Sequence, residues 1–414
     1  MTSVAGGPLA GAGRVRIELP DDLFVIDGYH GVHDPLHARV LVLDHDSRRH
    51  VVVSLELPSV RDREVARLRR RVADVAGTPV GRVWLTVTHT LSAPHVRSEA
   101  ALADPDVARR DAIWCERLED AVDAATSRAL AGLAPCVVGA GEASVPLNVS
   151  RDLLLDGRWT HGADPAGYSD RTLTAVRVDS AGGEPVAVLY GYDLRSSVTA
   201  GAEMGHALVS ADCTGAASRV VEAGWGGVAI FLPGAMADQM PDLADADAVA
   251  PAAPQDGRSG RAPTVYELSD AFGATLARHV VTVVQGAVVR EPARIRAART
   301  SVAVPTASTS PSSGSPTTLD LDLDLLLIGD VAVLGVKPEL TSVLGSGIRA
   351  ASPWPVTLVC TMLNGGARYL VDDEAHDRGT RTALASAFGR GAGEVVVRAA
   401  RALLQPAETL QEHR

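Results

Sequence analysis

The sequence predicts an α/β protein with mixed sheets and flanking helices. Three observations carry that expectation. Short β-branched runs alternate with longer segments of helical periodicity along most of the chain. Two of the helical segments, 104–133 and 265–285, are long. The chain has 414 residues, 46% of them apolar, which suffices for one large core.

The elements follow in order. Residues 38–46 and 50–57 are successive strands about a turn. Residues 62–76 place Val65, Leu68, Val72 and Val75 at helical spacing, and Gly77 supplies the stop. A strand at 83–89 precedes the first long helix. Strands at 172–179, 185–193 and 227–234 precede the second. Two stretches rich in Pro, Ser, Gly and Ala, 250–264 and 305–318, are expected to be flexible loops. The second is the one candidate domain boundary. The chain behind it is short, so a single domain over 1–414 is expected. Residues 319–336 resume as strands with period-two alternation, and 393–405 form a C-terminal helix.

Charge and composition exclude several functions. A net charge of −11 disfavours a nucleic-acid partner, because phosphate binding needs basic clusters. The one basic run, Arg67 to Arg71, lies in a helical pattern and is expected on a solvated face. The four cysteines form no CxxC pair, which argues against a disulfide framework or a thiolate zinc site. No secretory signal and no membrane span are visible. Lys337 is the sole lysine, a bias expected of a GC-rich bacterial gene. A cytoplasmic bacterial protein acting on a small molecule is therefore expected. Its oligomeric state is not readable.

Chemistry is expected first at "THTLSAPH", 88–95. A strand ending in His89 presents an imidazole to a loop, where α/β enzymes place ligands and acid–base groups. The plainer role is a hydrogen-bonded core histidine. Six stretches support the functional one by their order: THTLSAP (88–94), LNVSRD (147–152), GHALVSADCTGAAS (205–218), IFLPGAMADQMPD (230–242), GVKPEL (335–340) and MLNGGARY (362–369). With the opening DGYHGVHDPLHARVLVLD, they resemble the landmarks of the neutral ceramidase family, zinc-dependent N-acyl amidases, from about Val15 to Leu404. The resemblance implies that family's catalytic-domain architecture without its C-terminal immunoglobulin-like domain. It also implies zinc bound by His89, by Glu339 of the PGE-like segment, and by Tyr369, five residues after Asn364.

Three departures accompany the resemblance. Leu91 replaces the second histidine of THTHSGP. In the segment of the family's other zinc histidine, "LYGYDLRSSV" offers Asp193 as the fourth ligand, whereas Arg195 at that place would repel a cation. Met240 falls where the family has its serine nucleophile, and a thioether cannot serve as one. The remaining candidates for catalysis are Lys337, Asp238, Asp212, Arg151 and His95. Those for substrate binding are Arg195, Met240, Tyr29 and His206. The expectation is a zinc enzyme acting on an amide or acyl group of a specialised bacterial metabolite without a serine nucleophile. Amide formation, acyl transfer or cyclisation on the same scaffold, or non-catalytic binding, are the alternatives.

Overall fold

The computed structural model describes residues 7–201, 207–244, 263–290, 294–307 and 317–406. An eight-stranded sheet holds, in order, β10 (Val228–Pro233), β9 (Pro185–Tyr192), β8 (Thr172–Ser180), β5 (Ala134–Ser144), β1 (Leu9–Arg16), β2 (His37–His45), β3 (Arg48–Leu55) and β4 (Val83–Val87). A four-stranded sheet holds β12 (Ile295–Pro305), β13 (Thr318–Ile328), β14 (Val331–Val336) and β16 (Val356–Cys360). Two small sheets complete the set: β11 (Gln239–Pro241), β6 (Asn148–Leu155) and β7 (Arg158–Asp164), and the pair β15 (Pro338–Leu340) with β17 (Ala367–Leu370).

Strand alternation divides the interior into layers. On β2, Ala38, Val40 and Val42 face a core shared with α1 (Asp62–Ala76) and α2 (Pro105–Ala131), through Val65, Leu68, Trp114 and Val122. The intervening Leu41 and Leu43 face Leu326, Val333 and Leu358 of the four-stranded sheet. Under β8 to β10, Tyr190 and Phe231 pack on α3 (Asp212–Gly224) and α4 (Val265–Gly286). On the far side of the smaller sheet, Leu334 and Val336 pack on α5 (Ser342–Ala350) and α6 (Ala392–Leu404). The result is helix, sheet, sheet, helix. Each fully buried Leu or Val contributes roughly 1.5–3 kcal/mol of transfer free energy.

Local chemistry explains the helix ends. Gly77 closes α1 at φ 60°, and its N–H returns to the carbonyls of Ala73 and Asp74. Asp104 caps α2 by accepting from the amides of Asp106 and Val107. Thr264 and Glu267 form a capping box on α4.

Two expectations change. The 305–318 stretch is not wholly loop. Pro305 and Thr318 are paired residues of the β12–β13 hairpin, and only 308–316 lie outside the described residues. Of the 250–264 stretch, 250–262 lie outside them. The basic run is not merely solvated either. Arg67 and Arg71 reach across to Glu119, and Arg71 also to Asp123, tying α1 to α2. Among the described residues no helix is long and apolar enough to cross a membrane.

Candidate functional site

Five side chains from five separate segments meet in one cluster. His89 follows β4 in a left-handed backbone conformation, φ 59°. Asn364 secures this edge strand. Its side chain accepts from the amide of Leu85 (3.0 Å), and its own amide donates to the Leu85 carbonyl (2.7 Å). The β15–β17 pair sets Glu339 directly opposite Tyr369. Arg151 comes from β6, and Arg195 from the loop after β9.

The geometry at His89 defines its tautomer. Nδ1 donates to the carbonyl of Pro58, so in the neutral ring Nε2 carries the lone pair. That Nε2 is buried, has no hydrogen-bond partner, and lies 3.5 Å from Glu339 Oε2. Burial holds the imidazole below its ordinary pKa. Glu339 opposes this and Arg195 reinforces it. The ring is therefore a neutral proton acceptor near pH 7.

Two guanidiniums complete the cluster. Arg195 Nη2 donates to Glu339 Oε2 at 2.6 Å and reaches the Tyr369 hydroxyl at 3.4 Å. Arg195 lies 5.5 Å and Arg151 5.0 Å from the centroid of the Tyr369 ring. Burial would raise the phenol, but the charges of Arg195 and Arg151 outweigh it and lower its pKa. The His89, Glu339 and Arg195 side chains keep about a tenth of their surface exposed, so the cluster is not sealed.

Asp193 does not join this group. Its oxygens accept from the amide of Ala235 (2.8 Å), the hydroxyl of Ser342 (2.9 Å) and Arg349 (3.2 Å). Gly234 is what allows the approach, because a Cβ there would lie 2.3 Å from Asp193 Oδ1. The place offered for an aspartate ligand is filled instead by the guanidinium two residues on. Among the described residues no three His, Cys, Asp or Glu side chains gather as a metal site. The residues present do not fit zinc. A divalent ion 4 Å from a guanidinium is repelled by about 8 kcal/mol at an effective dielectric of 20, twice the value for unit charges. Arg195 already occupies the Glu339 oxygen that faces His89.

The other candidates are dispersed. Lys337 pairs with Asp62 at the start of α1 (2.9 Å). Asp212 accepts from the amides of Val198, Thr199 and Cys213 and the hydroxyls of Thr199 and Ser269, leaving it no free oxygen for proton transfer. His95 is half exposed and bonds to Asp27. Tyr29 donates to the Leu91 carbonyl (3.0 Å), and burial pushes its phenol up to about 12. Met240 lies part-buried on β11 opposite Val149. His206 lies outside the described residues.

Asp238 accepts from the amide of Ser342 (2.9 Å) and lines a neighbouring cleft of about 120 Å³ with Asp152, Asp164, Asp372 and Glu374. Burial pushes its carboxyl up to about 7. His161 on β7 was not anticipated. Burial, then the charges of Arg151, Arg381 and Arg195, lower its pKa. The signal was the strand "RWTHGAD", which cross-pairs His161 with Asp152.

The same fold occurs in solved structures. A neutral ceramidase from Pseudomonas aeruginosa superposes with a TM-score of 0.73 at 17% identity, covering 98% of this chain and 75% of that one. A ceramidase complexed with C2 gives 0.72 at 17%, with the same coverage. At this identity the likeness establishes the fold, the α/β architecture of the ceramidase catalytic region. No protein-family model matches the chain, and neither does any curated protein.

Proposed function

We propose that the chain is an enzyme acting at the C–N bond of an acylated small molecule, on a ceramidase-like scaffold but without a resident metal. The observation that carries this is the convergence of an oriented neutral imidazole with two guanidiniums and a phenol. In this reading a water molecule attacks the acyl carbon directly, since Met240 cannot form an acyl-enzyme. His89 Nε2 takes the proton of the attacking O–H and returns it to the departing nitrogen. Arg195 and the Tyr369 hydroxyl stabilise the charge that develops on the carbonyl oxygen. Glu339 neutralises Arg195 and keeps its fork in place.

Amide formation is the same sequence run backwards, with an amine as the attacking group. The arginine-dominated composition fits a bacterial setting, and the reading extends to a specialised metabolite in the cytoplasm. The test is release of free acid and amine from a panel of N-acyl compounds, with and without a chelator. Chelator-insensitive release that is lost in His89→Gln supports the reading. Absence of both cleavage and condensation leaves a binding protein on an enzyme fold.

A further inference from the structure

The two arginines beside Tyr369 are unequally neutralised. Arg195 shares a charge-assisted bond with Glu339. Arg151 is 3% exposed and, among the described residues, has no carboxylate within ion-pair distance. Its Nε donates to the Ala237 carbonyl at 2.7 Å, while its buried Nη2 has no hydrogen-bond partner. The adjacent Asp152 places one oxygen on the amide of Thr382 (3.1 Å) instead. The face of Tyr369 offsets part of the burial cost, on the order of 1–2 kcal/mol. A guanidinium buried beside a phenol and a carbonyl, with no carboxylate in ion-pair reach, is costly, and a carboxylate brought by a ligand would offset that cost.

We infer that Arg151 is a binding site for the carboxylate of the substrate, which makes the substrate class N-acyl amino acids and related acylamino carboxylates. This rests on the acyl C–N reading above. A guanidinium presents its N–H groups in a planar fork that matches a carboxylate, and a hydrogen bond between charged partners is about twice as strong as a neutral one. Arg195, held by Glu339, is left for the carbonyl oxygen, and His89 for the proton. The two guanidiniums then serve two different ends of one small molecule. Both guanidiniums lie against the one Tyr369 ring.

The test is titration calorimetry of the full chain with N-octanoylglycine and with N-octanoylglycinamide, which differ in the carboxylate. The wild type is expected to bind the carboxylate at least tenfold more tightly. Arg151→Met is expected to bind both alike, and Arg151→Lys to recover part of the preference. Equal binding by the wild type, no binding of either at millimolar concentration, or a preference that survives in Arg151→Met would overturn the inference. Should Arg151→Met not fold, the wild-type comparison decides alone. Release of octanoate is followed in parallel. A carboxylate preference without release overturns the acyl reading and keeps the site. Release from both compounds without preference does the reverse.

Discussion

The buried carboxylates Asp193 and Asp212 and the buried groups around Tyr369 are built on opposite terms. Around Asp193 and Asp212, acceptors are matched to donors: Asp193 to Ala235, Ser342 and Arg349, and Asp212 to five donors from the 198–199 loop, α3 and α4. Around Tyr369, buried donors and acceptors are left over: His89 Nε2, Arg195 Nε and Arg151 Nη2. Folding tolerates the second arrangement only if something else completes it, because each orphaned polar atom costs on the order of 1–3 kcal/mol. Saturated clusters mark what holds this fold. In the proposed reading, the groups left over around Tyr369 are where a ligand enters.

Substitutions separate the two kinds. His89→Gln should lower turnover by about 10²–10⁴-fold with little change in Tm, because a proton acceptor is lost while the fold is not. A large drop in Tm, checked by calorimetry, would place His89 among the structural groups. Asp193→Ala should behave oppositely. It leaves the Ser342 hydroxyl and the Ala235 amide without their acceptor while Arg349 keeps Asp170, and losing such buried bonds costs about 1–3 kcal/mol in denaturant titration. A near-neutral result would dissolve the distinction.

Asp238 gives a pH test at the border of the two. Its carboxyl titrates near 7 in the folded state against about 4 unfolded, so folding favours the protonated form. That contribution is complete below about pH 4 and is lost as pH rises through about 7. Asp238→Asn cannot lose it. The variant should match the wild type in Tm at low pH and exceed it at pH 8. The smallest effect is expected at Lys337→Met. The exposed pair with Asp62 is worth at most about 1 kcal/mol, and turnover should stay within about twofold.

Much of this was legible in the sequence, though unevenly. The long helices showed because their periodicity and caps agree, as at Thr264 and Glu267 of α4. The alternation of β13 also showed, with Leu321 and Leu323 inward and Asp320 and Asp322 outward. Strand β1 escaped because Gly11 and Gly13 replace the expected apolar side chains. A Cβ at either would lie 2.1 Å from a carbonyl of α2, so the helix rests directly on the strand backbone. The β15–β17 pair escaped because three- and four-residue strands carry no period. Ordered motifs located His89, Glu339 and Tyr369, which the structure brings together. They did not separate Asp193 from Arg195. Two residues in a loop decide whether a carboxylate or a guanidinium enters the cluster, and spacing along the chain cannot show which side chain Gly234 admits.

We propose Arg195 as the resident cation of this centre. This is tested most directly by the zinc content of the purified chain after incubation with zinc and gel filtration, measured beside His89→Ala. The expected result is far less than one zinc per chain in both proteins. One tightly held zinc per chain in the wild type, absent from His89→Ala, would contradict it and return the site to metal chemistry.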